Sequence, residues 1–204
     1  MKTICIEKNI YTFDELTDEA KENALEYFRT SEYALSWQEE NYDTVKEIAR
    51  LMDWNYSTDS YDGVQYEVNY TIEDSDIADL SGARAMAYIQ NNYIKAAQKP
   101  KTYWLNHVLY CDGRKNWTRK SQINFEIDNC PFTGYIMDCC FAGGWREWLA
   151  TFTKDSTVQD FADMVASHLS KEWTNDNEYQ LSDEAIIETI NANEYEFESD
   201  GSVC

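Results

Sequence analysis

The stretch Asn55-Tyr-Ser-Thr-Asp-Ser-Tyr61-Asp62-Gly63-Val64-Gln-Tyr-Glu-Val-Asn-Tyr-Thr-Ile72-Glu73 decides the fold class. Val64, Tyr66, Val68, Tyr70 and Ile72 alternate with Gln65, Glu67, Asn69 and Thr71, the period of a half-buried strand. Asp62-Gly63 before it is a hairpin signal, because both central residues of a type I′ turn need positive φ. Residues 55–61 and 64–73 should therefore pair antiparallel.

Outward from this hairpin the period changes to that of helices. Thr17 is suited to cap a helix whose first turn carries Asp18 and Glu19 and whose apolar stripe is Ala20, Ala24, Leu25 and Phe28. A second helix is predicted over 34–53, with Leu35, Tyr42, Val45, Ile48, Ala49 and Met52 inward and most acids outward. A third runs over 76–98 through Ala85, Tyr88, Ile89, Tyr93 and Ile94, stopping before Pro100. Ser156 and Gln159 have capping-box spacing ahead of Val158, Phe161, Ala162, Val165 and Leu169. Ser182 caps a last helix with Leu181 and Ile186 at staple positions.

The remaining signals are weaker. Ile4, Ile6 and Ile10 suit an opening strand; Ile123, Phe125 and Ile127 suit another, and Phe132 to Phe141 a third, with Gly143-Gly144 expected to break the chain before Trp145. Residues 102–111 read as helix or strand. Tyr195-Glu-Phe-Glu198 reads as an edge strand whose acids discourage pairing. Leu16-Thr-Asp-Glu-Ala20 is echoed by Leu181-Ser-Asp-Glu-Ala185, which good capping chemistry at two helix starts explains without a duplication. The whole predicts one α+β domain over residues 1–204, an antiparallel sheet covered by about five helices.

Composition supports folding and narrows function. With 204 residues, 43% apolar and 15% aromatic, the chain can build a core despite a net charge of −21. No stretch approaches the apolar length of a membrane span, and Met1–Glu7 lacks the run of a signal peptide, so a cytosolic location is expected. The six cysteines, two of them adjacent at Cys139-Cys140, do not form a secreted disulfide framework. No CxxC pair, phosphate loop or dinucleotide fingerprint is present, and His107 and His168 lie far apart. His107 and Cys111 would share a helix face if 102–111 were helical, but a core role suits such lone residues better. Glu196-x-Glu198-x-Asp200-Gly201 has the spacing of half a calcium loop without its distal glutamate, so a solvated tail is the reading. No catalytic residue, metal site or cofactor is expected.

Charge is distributed unevenly. Residues 81–125 hold eight cations against one acid, Asp112, so the rest of the chain sums to −28. In that segment Lys99, Lys101, Arg114, Lys115, Arg119 and Lys120 are interleaved with aromatics including Trp104 and Trp117, a mixture able to meet phosphates and stack on bases; the same cations could instead neutralise neighbouring acidic helices. The acids Asp14, Glu15, Asp18, Glu19, Glu22, Glu26, Glu39 and Glu40 could form a solvated face or a row that imitates phosphates.

Tyr11-Thr-Phe-Asp-Glu-Leu-Thr-Asp-Glu-Ala-Lys-Glu-Asn-Ala-Leu25 resembles the opening of a family of small acidic proteins encoded by phages and prophages. Phe132-Thr-Gly-Tyr135, Ser182-Asp-Glu-Ala185 and Ala192-Asn-Glu-Tyr-Glu-Phe-Glu-Ser-Asp-Gly201 are similar to the family's closing pattern. Some proteins with this opening are thought to be anti-CRISPR inhibitors of Cas9, and others carry an antitoxin label. The resemblance implies a non-enzymatic, phage-encoded inhibitor of a host defence nuclease of the Cas9 type, with or without guide RNA. The eight acids would be the partner-binding face, and the basic-aromatic residues a second contact with nucleic acid. A nucleic-acid-binding accessory protein acting through 81–125, and a toxin-binding protein, are the alternatives.

Overall fold

Asp62 and Gly63 take φ of 55° and 69°, and the Val64 N–H donates to the Tyr61 carbonyl at 3.2 Å, so the turn has the positive-φ pair that the sequence predicts. The computed structural model describes residues 9–94, 103–106, 116–119 and 139–204, with 32–37, 103–106 and 116–119 by backbone alone. Strand β1 (Asn55–Tyr61) pairs antiparallel with β2 (Gln65–Thr71), from Asn55 opposite Thr71 to Tyr61 opposite Gln65. Val64 is left over as an extra residue between turn and ladder, as in a bulge. A second antiparallel ladder joins β3 (Tyr103–Asn106) to β4 (Asn116–Arg119).

The α+β class holds, with seven α-helices among the described residues: α1 (Asp18–Thr30), α2 (Glu32–Met52), α3 (Ser75–Ala78), α4 (Gly82–Ile89), α5 (Cys139–Ala150), α6 (Val158–Gln180) and α7 (Asp183–Ala192). The two beyond the expected five have definite causes. The helix expected over 76–98 is divided, because Ser81 forms an antiparallel bridge with Thr157 and the Gly82 N–H donates to the Ser156 carbonyl at 2.9 Å. Gly82 has φ 56°, and a Cβ there would stand 2.7 Å from the Lys154 carbonyl oxygen, so the break needs glycine. After α4 the chain widens to a π turn over Gln90–Ile94, where the Asn91 and Asn92 side-chain amides donate to the Ala87 and Tyr88 carbonyls at 2.8 and 2.9 Å. Residues 95–98 lie outside the described residues.

Helix α5 is the other addition. Gly143-Gly144 does not break the chain; both glycines lie inside α5. A Cβ on Gly144 would stand 2.7–2.8 Å from the Val165 Cγ2, Cα and N, and one on Gly143 2.9 Å from the His168 Nδ1. They act as close-approach residues that bring α5 against α6. The opening strand expected through Ile4, Ile6 and Ile10 is not formed in its described part, where Ile10 is exposed and Tyr11 makes an isolated bridge, and the described end of the strand expected over 132–141 is the start of α5; the rest of both, and the strand expected over Ile123–Ile127, fall outside the described residues. So does the opening half of the closing resemblance pattern, Phe132–Tyr135.

The chain divides into two compact units, residues 1–40 with 174–204 and residues 41–173. In the first, Thr17 caps α1 by accepting the Ala20 N–H at 3.3 Å, and the predicted stripe Ala20, Ala24, Leu25 and Phe28 is buried. It packs with Ile186 and Ile190 of α7, itself capped by Ser182, and with Phe13, Leu16 and Phe197. Phe197 is fully buried because Tyr11 and Val203 bridge it on both sides, so the predicted edge strand is reduced to single bridges. Gly201, at φ 90°, turns the tail back so closely on α1 that a Cβ would stand 2.1 Å from the Ala20 carbonyl oxygen.

The second unit is built around Phe161 on α6, whose ring meets those of Trp54, Tyr93, Phe141, Trp145 and Trp148. Val158, Phe161, Ala162, Val165 and Leu169 are fully buried, as their spacing predicts. The capping box stands one residue later than expected: Thr157 and Asp160 exchange bonds, Thr157 N–H to Asp160 Oδ2 at 2.7 Å and Asp160 N–H to Thr157 Oγ1 at 3.0 Å. Gln159 is thereby free to act on β2, donating to the Tyr70 carbonyl at 2.8 Å and accepting the Ile72 N–H at 3.1 Å, while Ser170 accepts the Val68 N–H at 2.8 Å. These side chains satisfy the edge of β2 away from β1. On α2 the inward set Val45, Ile48, Ala49 and Met52 is buried as expected, but Tyr42 is exposed and shares a hydroxyl–hydroxyl bond of 3.0 Å with Tyr56; Asn41 and Thr44 are buried instead.

Candidate functional site

Carboxylates repel one another, so a surface that gathers them must hold them on helices already fixed by burial elsewhere. The first unit does this. Its sequence holds nineteen carboxylates against four cations, which places 15 of the 21 net negative charges in 71 residues. All eight acids named from the sequence, Asp14, Glu15, Asp18, Glu19, Glu22, Glu26, Glu39 and Glu40, belong to this unit and are exposed.

Helix α1 sets the geometry. Asp18, Glu19, Glu22 and Glu26 alternate with the buried stripe, so they follow the solvent side of the cylinder over about 12 Å at ~1.5 Å per residue. That is close to the spacing of about one charge per 3.4 Å along one DNA strand. Asp18 and Glu19 are additionally favoured by the helix N-terminus. Glu15 stands just before, its carboxylate accepting the Thr12 N–H at 2.9 Å and the Thr12 hydroxyl at 3.0 Å. The backbone bond and then the hydroxyl bond hold its pKa below the ordinary range, so it stays charged while closing its own turn.

Arg29, near the end of α1, tempers the field without cancelling it. Its guanidinium meets Glu26 at 3.3 Å, Glu22 at 3.4 Å and Asp183 of α7, and Nε donates to the Leu181 carbonyl at 3.4 Å. Burial works against the charge of Arg29, but the carboxylates around it outweigh this and raise its pKa. One cation thus serves three acids. Lys21, the other described cation of the unit, lies over the Phe13 ring, its Nζ 5.9 Å from the centroid.

The sequence reading missed the second half of this surface. Residues 174–204 contribute nine carboxylates and no cation. Asp183, Glu184 and Glu188 are exposed on α7, which packs on α1, and Glu194, Glu196 and Asp200 are exposed in the tail that Asn23 holds through the Asp200 carbonyl at 3.0 Å. The legible signal was the absence of any Lys or Arg after Lys171.

Of the residues named for nucleic-acid contact, Lys99, Lys101, Arg114, Lys115 and Lys120 lie outside the described residues. Trp104, Trp117 and Arg119 belong to the β3–β4 ladder, where Trp104 is opposite Thr118, Leu105 opposite Trp117 and Tyr103 opposite Arg119. His107 and Cys111 also lie outside. Among the described residues no group of three or more His, Cys, Asp or Glu is placed to hold a metal ion, and no helix is long and apolar enough to cross a membrane. His168 Nε2 pairs with Glu147 at 2.7 Å. No protein-family model, curated protein or solved structure matches the chain.

Proposed function

We propose that the protein is a non-enzymatic inhibitor whose acidic first unit occupies a cationic nucleic-acid-binding region of a host defence nuclease. The observation that carries this reading is the concentration of 15 net negative charges in 71 residues, with one guanidinium shared among three of the acids. Such a field accelerates encounter with a basic groove and weakens with salt. The resemblance of Tyr11–Leu25 and Ala192–Gly201 to phage proteins selects a Cas9-type nuclease as the target. The region that reads the short flanking motif through arginines is the docking site of choice. The phage origin, the cytoplasm of the bacterial host as location and the second contact through Lys99, Lys101, Trp104, Arg114, Lys115, Trp117, Arg119 and Lys120 belong to the same proposal.

The test is cleavage of a plasmid by guide-loaded Cas9, titrated with the protein at about 50 and 200 mM salt. Inhibition near stoichiometry, weaker at the higher salt and reduced at least tenfold by the triple variant Glu19→Lys, Glu39→Lys, Glu40→Lys, is the expected result. Full cleavage at a large excess of protein at both salts rejects a Cas9 target. Inhibition that the triple variant retains, but that Lys115→Glu with Lys120→Glu abolishes, moves the function to the basic segment.

A further inference from the structure

The hairpin of the second unit has one edge closed and the other open. On β2 the Val68 and Ile72 N–H groups and the Tyr70 carbonyl are bonded to Ser170 and Gln159 of α6, so Val68 and Tyr70 turn their backbone groups away from β1. Their register partners are Thr58 and Tyr56, and at such a position of an antiparallel pair both residues point N–H and C=O outward. Tyr56, Thr58 and, by alternation, Ser60 therefore offer their N–H and C=O on the far side of β1. Among the described residues nothing bonds to these groups. Five of the seven β1 residues are exposed and the other two are half-buried. We infer that this edge receives an extended segment of a partner protein as an added antiparallel strand, with a lysine or arginine of that segment opposite Asp59.

Open edges are commonly guarded by proline, lysine or a bulge. Asn55-Tyr-Ser-Thr-Asp-Ser-Tyr61 contains no proline, lysine or glycine, and its ladder to β2 runs without interruption. Strand addition to such an edge takes its affinity from main-chain bonds and its selectivity from alternate side chains.

The outer face of the hairpin sets the charge of the incoming strand. Asp59 stands directly opposite Glu67, a like-charge pair that weakens the hairpin. The Tyr61 hydroxyl donates to Glu67 Oε2 at 2.9 Å and the Asn69 amide to Oε1 at 3.4 Å, but among the described residues neither carboxylate has a cation partner. Toward an added strand, Ser57 and Asp59 occupy the positions without backbone bonds, where facing side chains come closest. A cation opposite Asp59 pairs with it and offsets the repulsion it shares with Glu67. A second copy of the chain does not meet this need: two β1 strands paired about Thr58 would set Asp59 opposite Ser57 and gather four carboxylates on one face. On the inner face, Tyr56, Thr58 and Ser60 suit β-branched neighbours. This inference does not rest on the inhibitor reading.

The probe is the blocked peptide Thr-Val-Lys-Val-Thr-Val-Thr, labelled for fluorescence anisotropy; its lysine falls opposite Asp59 when its middle valine meets Thr58. The full chain is expected to bind it at least about fivefold more tightly than the same peptide with glutamate in place of lysine. It should bind at least about tenfold more tightly than a peptide N-methylated at the middle valine, which cannot donate to the edge. On binding, amide exchange at Tyr56, Thr58 and Ser60 should slow, while Ser57 and Asp59, already bonded to β2, stay as they were. Thr58→Pro removes an N–H that the hairpin does not use, so it should keep the thermal midpoint of the parent and lose about tenfold or more in peptide affinity. Asp59→Asn should narrow the preference for lysine over glutamate to about twofold or less. Absence of binding up to ~1 mM peptide, equal binding of the lysine and glutamate peptides, or full binding of the N-methylated peptide would each overturn the inference. So would binding kept by a folded Thr58→Pro protein, or a dimer in sedimentation that Thr58→Pro dissolves, which would give the edge to a second copy. If Thr58→Pro does not fold, the N-methylated peptide and Asp59→Asn decide the matter.

Discussion

Gly144→Ala is a substitution for which two well-known effects oppose each other and the structure decides between them. Inside a helix, alanine is favoured over glycine by about 1 kcal/mol because the unfolded chain loses freedom. Against this, the new Cβ would stand 2.7 Å from the Val165 Cγ2 and 2.8 Å from the Val165 Cα and N. Ordinary carbon contacts lie at about 3.5–4.0 Å, so α5 and α6 must part by roughly 0.7 Å. Two of the three opposing atoms are backbone and cannot rotate away. Overpacking of this kind costs about 1–3 kcal/mol, and the contact with main chain places it at the upper end, leaving a net loss of about 1–2 kcal/mol. For a chain of this size that lowers the thermal midpoint by about 2–8 °C. Gly143→Ala is the internal control: the three atoms nearest its Cβ all belong to the His168 ring, at 2.9–3.3 Å, a half-buried side chain that can turn aside. Urea and thermal unfolding of the two variants, followed by near-UV circular dichroism of the tryptophans, should show Gly144→Ala clearly destabilised and Gly143→Ala within about 0.5 kcal/mol of the parent. A Gly144→Ala protein as stable as the parent, or more so, would refute the claim that these helices meet backbone to backbone at this glycine.

Three further outcomes are expected. Gly201→Ala combines a φ of 90° with a Cβ 2.1 Å from the Ala20 carbonyl oxygen, so it should cost at least about 2 kcal/mol and release the tail for cleavage in limited proteolysis read by mass spectrometry. Arg29→Met leaves Glu22, Glu26 and Asp183 facing one another and should cost about 1 kcal/mol at low salt, a loss that shrinks toward zero near ~0.5 M salt in denaturant titrations. The pKa of Glu15, lowered by Thr12, and that of Glu47, lowered by Arg50, lie below the ordinary value of 4.5. Both therefore stabilise the fold above that pH and cease to do so as the pH falls through their lower folded-state values. In Glu15→Gln with Glu47→Gln, the fall in stability on acidification below about pH 4.5 should be shallower than in the parent.

The elements read correctly from sequence are those in which a local pattern and the tertiary context agree. Thr17 and the stripe Ala20–Phe28, the stripe Val158–Leu169, and the Asp62-Gly63 turn each need only their own neighbours to be recognised. The errors arise where a distant residue changes the meaning of a local signal. Gly143-Gly144 reads as a breaker until Val165 and His168 supply the surface that forbids a side chain. The periodicity of 76–98 gives no hint that Thr157 draws Ser81 into a bridge. Ser156 and Gln159 have ideal spacing for a capping box, yet Gln159 is taken by β2 and Thr157 caps instead. The candidate site shows the same division. The exposure of Asp18, Glu19, Glu22 and Glu26 follows from the stripe opposite them, whereas the joining of α7 and the tail to α1 rests on Ile186, Ile190 and Phe197, more than 150 positions away.

Gln159 stands in for a missing strand. Its primary amide offers an acceptor and a donor from one plane, to the Ile72 N–H and the Tyr70 carbonyl, much as a peptide group would. Hydrolysis of that amide, the ordinary ageing reaction of glutamine, exchanges NH₂ for O and sets two lone-pair oxygens against each other at Tyr70. The hairpin would then keep its Val68 and Ile72 bonds to α6 and lose the one at Tyr70, so that contact is tied to one nitrogen atom.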